Sequence, residues 1–211
     1  MFKNLFRPDS SLMITMNWIT DCIFLSLFWM LGCIPVVTIG TSFAALYDAT
    51  YRGYRQKEKN CWQRFLQVYR ENWKSGIGPT VVLLAVVFGL GKTLIGLWNS
   101  AVAGNLSWTV FSGCAFVGVL LFGILSIMCP MLSRFENSST ALLKNTVFMG
   151  VANLPRTLAL GLLNALTVFV CVLYVIPVFF MPALAALIGS LFVEPMFKPY
   201  MPEKSDEEVA E

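Results

Sequence analysis

Two charged side chains interrupt long apolar stretches of this chain, Asp21 and Lys92. An ionised group at the centre of a membrane helix costs about 2.5–3.5 kcal/mol on insertion scales, so such groups face water, a partner or a transported ion. Asp21 is therefore a candidate ion or proton site, and with Lys92 it could form a solute pathway. The plainer reading of Asp21 is a carboxylate hydrogen-bonded to neighbours such as Asn17 or Thr20. Lys92 precedes Trp98 by less than two helical turns. It reads as a side chain whose stem follows the apolar surface while its ammonium reaches the outer headgroups. Asp48 and Arg52 stand four residues apart, the spacing of a local ion pair, and a structural role suits them better than a catalytic one.

Other chemistry is poorly provided for. The chain has no histidine, and its six cysteines are scattered without a C-x-x-C pair, five of them in apolar runs where thiols pack as small hydrophobes. No disulfide framework, metal site or cofactor is expected. Walker A, G-x-S-x-G and H-E-x-x-H patterns are absent as well. The sequence reads as that of a non-enzyme. A net charge of +3 gives no reason to expect nucleic acid.

The elements that must hold these residues are membrane helices. Hydrophobic residues make up 57% of the 211 and charged residues 13%, with a mean hydropathy of +0.70. Soluble domains carry roughly 25% charged residues, and a chain of this size cannot hide so much apolar surface in its own core. A span needs about 20 mostly apolar residues. The expected fold is all-α, a polytopic transmembrane bundle forming a single domain over 1–198. About six spans are expected, near 11–34, 41–54, 77–98, 107–132, 157–176 and 178–194. The first apolar run, Leu12–Ile34, is too long for a signal-peptide core and lacks an A-x-A site, so it reads as a retained helix. Thr157–Val193 carries no charge over 37 residues and should fold into a hairpin at Pro177 and Pro182. Residues 199–211 read as an acidic, disordered cytoplasmic tail.

Charge placement sets the expected orientation. Fourteen of the 15 Lys and Arg lie in four places: Lys3 and Arg7; seven from Arg52 to Lys74; Arg134, Lys144 and Arg156; and Lys198 and Lys204. The positive-inside rule puts all four in the cytoplasm. Both termini are then inside a bacterial plasma membrane, provided 41–54 crosses from an outer start near Gly40. The alternative is five spans with the N-terminus outside. Trp98 and Trp108 flank an uncharged connection, as an outer interfacial belt would.

The segment 59–75 is amphipathic. Trp62, Phe65, Leu66, Tyr69 and Trp73 recur at helical spacing, while Arg64, Gln67, Arg70, Glu71 and Lys74 take other faces. It reads as a cytoplasmic helix, either lying on membrane lipid, packed against the bundle, or offering a partner surface with Arg64 and Arg70 towards water. A second cytoplasmic helix is expected between Arg134 and Arg156, capped near Ser138–Thr140 and ended by Asn153-Leu154-Pro155.

Two stretches resemble a known family. Gly32–Arg52 reads GCIPVVTIGTSFAALYDATYR, and Phe65–Gly76 reads FLQVYRENWKSG. Both are similar to the YesL-like family of small bacterial membrane proteins, a domain of unknown function. Its distinctive part here is Pro35, Thr38 and Gly40 followed by Ala45, Leu46 and Tyr47. The resemblance extends over nearly the whole chain. It implies association with the permease subunits of a carbohydrate ABC transporter. ABC permeases carry a Glu-Ala-Ala loop ending in Leu-Pro, and here Leu154-Pro155 has no Glu-Ala-Ala before it. That departure speaks for an accessory or assembly subunit rather than a permease.

Overall fold

The computed structural model describes residues 11–55, 60–104, 106–135, 139–174 and 176–200, with side chains for all of these except 11–19 and 139. Lys3, Arg7, Asn17, Lys57, Lys59 and Ser138, and the tail beyond residue 200, carry sequence expectations that lie outside the described backbone or side chains.

Among the described residues every element is a helix. They are α1 (Ser11–Gly32), α2 (Ile39–Arg55), α3 (Cys61–Asn72), α4 (Ile77–Val102), α5 (Trp108–Arg134), α6 (Ser139–Ala152), α7 (Leu154–Leu173) and α8 (Met181–Phe197). Short 3-10 turns at Val36–Thr38, Ile176–Phe179 and Lys198–Tyr200 complete the path.

Among the described residues, four helices are long and apolar enough to cross a membrane: α4, α5, α7 and α8 with its following turn. They pack as neighbours, α4 on α5, α5 on α7 and α7 on α8. Small residues set the closest approach. A Cβ on Gly123 would collide with the Thr157 carbonyl oxygen, and one on Gly161 with that of Val119. Close backbone contact is how membrane helices gain dispersion energy that lipid would otherwise supply.

The uncharged run divides near its prolines, with different bounds. The helix α7 begins at Leu154 rather than at Thr157, because Pro155 sits in its first turn, where no amide donor is needed. After the turn at Ile176–Phe179, α8 starts with Pro182 in its first turn and runs through Pro195 to Phe197. The connection between α4 and α5 is short. Trp98 and Trp108 meet edge to face at 5.5 Å, and Gly104 takes the left-handed backbone that closes the turn (φ 74°).

The first three helices form a layer with α2 in the middle. Trp29 of α1 meets Phe43 of α2 edge to face at 5.0 Å, and the Cys22 thiol lies 3.3 Å from the Tyr54 hydroxyl, so the two helices run antiparallel. Packed on both, α3 runs back along α2 with Cys61 against Gly53, and touches α1 through Tyr69 at Gly32 and Phe65 at 6.1 Å from Phe28. The chain thereby returns to the start of α2, and Gly40 there lies against Thr80 and Thr41 against Gly76. This departs from the expected second span, in which α2 starts at the outer face and α4 at the inner one. The two helices begin side by side. The physical reason is visible in composition: α2 carries Asp48, Arg52 and Arg55, and its middle, Thr41–Thr50, is covered by protein except at Phe43.

Candidate functional site

The charges that converge do so around Asp48. Its side chain is 0% exposed, since α2 is enclosed by α1, α3, α5 and α8. A carboxylate out of water needs charged or hydrogen-bonding partners, and three arginines supply them. Arg52, one turn along α2, places its Nε 3.2 Å from Oδ2. Arg64 of α3 donates its Nε–H to Oδ2 at 2.6 Å. Arg134, in the last turn of α5, sets its Nε 3.6 Å from Oδ1, an ion pair too long for a hydrogen bond.

Arg134 also links this centre to α8. Its Nη2 donates to Oε1 of Glu194 at 2.8 Å, and the same oxygen accepts the Tyr47 hydroxyl at 2.9 Å. The guanidinium lies 4.3 Å from the Tyr51 ring centre, a cation–π contact, and Tyr51 stacks on Tyr47. Five charged groups, three positive and two negative, thus join α2, α3, α5 and α8. Chemically this is a clamp. The Asp48 oxygens are taken up by guanidinium groups and the Glu194 Oε1 by two donors.

The residues expected from the sequence fall into three groups. Pro35 and Thr38 form the turn between α1 and α2, and Gly40, Ala45, Leu46 and Tyr47 lie buried on α2. The Thr38 hydroxyl bridges the turn between α1 and α2, lying 2.9 Å from the Gly32 carbonyl and 2.8 Å from that of Pro35. Pro35 supplies the extended residue before the 3-10 turn. A Cβ on Gly40 would strike the Thr80 hydroxyl, and Ala45, Leu46 and Tyr47 are buried.

The α3 residues divide among three faces. Phe65 and Val68 are buried against α1 and α2, with Tyr69 half-buried and stacked on Phe65. Trp62, Leu66 and Trp73 form an exposed apolar face, the two indoles 47% and 48% exposed. Arg70 and Lys74 flank them, with the Lys74 ammonium 5.9 Å from the Trp73 ring centre. Arg64 corrects the expectation of a water-facing charge: it turns inward, 22% exposed, because Asp48 is buried beside it.

Asp21 and Lys92 are not brought together by any element contact. Asp21 is exposed on α1, next to the Cys22–Tyr54 contact. Lys92 is exposed on α4, its ammonium 4.7 Å from the Phe88 ring centre on the same helix. No group of metal-ligating side chains occurs among the described residues.

Sequence reasoning missed Arg134 and Glu194. Each stands at the end of a long apolar helix and reads as an ordinary boundary charge. The available signal was Asp48 itself, an acid within an apolar segment with more than one arginine nearby in sequence.

Comparison with known proteins adds one match. Residues 22–91 match the family model described as "Protein of unknown function, DUF624". The matched part contains most of the α1–α3 layer, including Asp48, Arg52 and Arg64, and ends within α4; Arg134 and Glu194 lie beyond it. No curated protein and no solved structure matches the chain.

Proposed function

We propose that this chain is a non-catalytic integral membrane subunit that works through protein contacts, as an accessory or assembly partner of a carbohydrate ABC importer in a bacterial plasma membrane. One observation carries the reading: the charges that converge are spent on one another around Asp48, and the clamp they form fixes α3 with Trp62, Leu66 and Trp73 facing outward. A transported polar solute needs several free polar groups at one depth, and Asp21 and Lys92 do not supply them. The importer enters through the resemblance of Gly32–Arg52 and Phe65–Gly76 to the YesL-like family.

The topology we propose follows from α2 and α4 starting side by side. With the basic segments in the cytoplasm, the α1–α2 turn, the end of α3 and the start of α4 lie together at the inner side. Four helices then cross, α4, α5, α7 and α8, and both termini stay inside.

Co-purification from native membranes tests the function. An accessory subunit brings permease subunits of a sugar importer with it in stoichiometric amount. If the chain purifies alone and carries sugar into liposomes by itself, the transporter reading replaces this one.

A further inference from the structure

Between α5, α7 and α8, with Trp29, Phe43, Tyr47 and Leu83 of α1, α2 and α4 completing the wall, lies an open cavity of about 320 Å³. Folded interiors seldom hold voids larger than a water molecule, so a space of this size has room for an occupant. Its inner wall includes Cys129, Leu160, Ala185 and Val193, all buried. Polar side chains are few there: the Tyr47 hydroxyl donates to Glu194, and the Trp29 indole N–H is buried without a partner. Ser126 donates to the Phe122 carbonyl, Asn164 to that of Leu160 and Thr167 to that of Leu163. No charged residue lines the space, and one free indole N–H is too little to hold a sugar or an ion. Water is a poor occupant too, because it needs two to four polar partners.

The mouth is set by Val168 and Val172 of α7, 53% and 78% exposed. They belong to a helix long and apolar enough to cross a membrane, and the exposed Leu166, Phe169 and Leu173 continue the same apolar surface. The cavity is therefore continuous with the face that α7 turns to lipid. An uncharged hydrocarbon chain matches an uncharged wall.

We propose that this cavity holds an acyl chain of a membrane glycerolipid, entering sideways past Val168 and Val172. The inference rests on the membrane location proposed above, and not on the importer association. Burying chain methylenes against Leu160 and Val193 supplies the dispersion contacts that an empty space would forgo.

The full chain, expressed in membranes, is first washed with alkaline carbonate. Release by that wash defeats the membrane reading itself and is recorded separately from the lipid test. The retained protein is then extracted in mild detergent, exposed to dioleoyl phosphatidylglycerol or dioleoyl phosphatidylethanolamine, and weighed by native mass spectrometry. Wild type is expected to keep one glycerolipid. Ala185→Phe fills the inner space, and Val168→Trp blocks the mouth from an exposed position that leaves the core packing alone. Both are expected to lower lipid retention roughly tenfold, a loss of about 1.4 kcal/mol in binding. Equal retention in wild type and Val168→Trp overturns the proposal, as does a wild type that keeps no glycerolipid.

Discussion

Arg64, on the amphipathic helix α3, sets its Nε 2.6 Å from Oδ2 of Asp48, which is buried on α2. The pair fixes the rotation of α3 about its own axis. With Arg64, Phe65 and Val68 turned inward, Trp62, Leu66 and Trp73 must face out. A residue that reads as a solvated surface charge is thus the anchor of the layer.

Removing the Asp48 charge should be the most damaging polar substitution in the protein. Asp48→Asn leaves Arg52, Arg64 and Arg134 crowded together without their shared anion. Breaking a buried pair costs about 3–5 kcal/mol. Arg52→Gln should cost less, since Arg52 is the most exposed of the three arginines. Thermal unfolding in detergent measures both, and an Asp48→Asn protein as stable as wild type would remove the clamp from consideration.

The packing of α2 on α4 depends on Gly40. Gly40→Ala drives a methyl into the Thr80 hydroxyl, and overpacking of this kind costs about 1–3 kcal/mol. Combining it with Thr80→Ala should recover part of the loss, giving a coupling energy in a double-mutant cycle. Additive losses would mean that the two helices do not meet at this point in the membrane.

Topology is testable at the α1–α2 turn. On a cysteine-free background, Gly104→Cys should react with an impermeant thiol reagent applied to intact cells, because it sits in the connection flanked by Trp98 and Trp108. Val37→Cys should not react, since the α1–α2 turn lies beside the start of α4, which the proposed topology puts at the inner side. Labelling at Val37 would restore the six-span reading. Labelling of Asn4→Cys from outside would favour five.

If α3 is the working surface, its flank should matter more than Asp21. With expression matched, the double reversal Arg70→Glu with Lys74→Glu should lower sugar uptake and permease co-purification several-fold. Asp21→Asn should leave both near wild type. The opposite pattern, with Asp21→Asn abolishing uptake, points to a solute pathway.

Composition and periodicity by themselves determined that this is a helical chain suited to a membrane, that it carries an amphipathic helix near 59–75, and that the long uncharged run folds back near Pro177 and Pro182. These properties are local. Hydropathy sums over neighbours in sequence, helical spacing repeats within a few turns, and a proline acts on its own turn. Only the tertiary structure decided that α3 runs back along α2, that α2 and α4 start side by side, and that Arg134 and Glu194 join Asp48. A carboxylate's partner is chosen by distance in space and by burial. Arg64 lies 16 residues from Asp48, and Arg134 lies 60 from Glu194. Charge counting locates such residues at helix ends but cannot pair them, because each end offers several arginines of equal charge. Packing of α2 on α3 at Gly53 brings Arg64, and packing of α2 on α5 brings Arg134, within reach of the buried carboxylate, and that selection is three-dimensional.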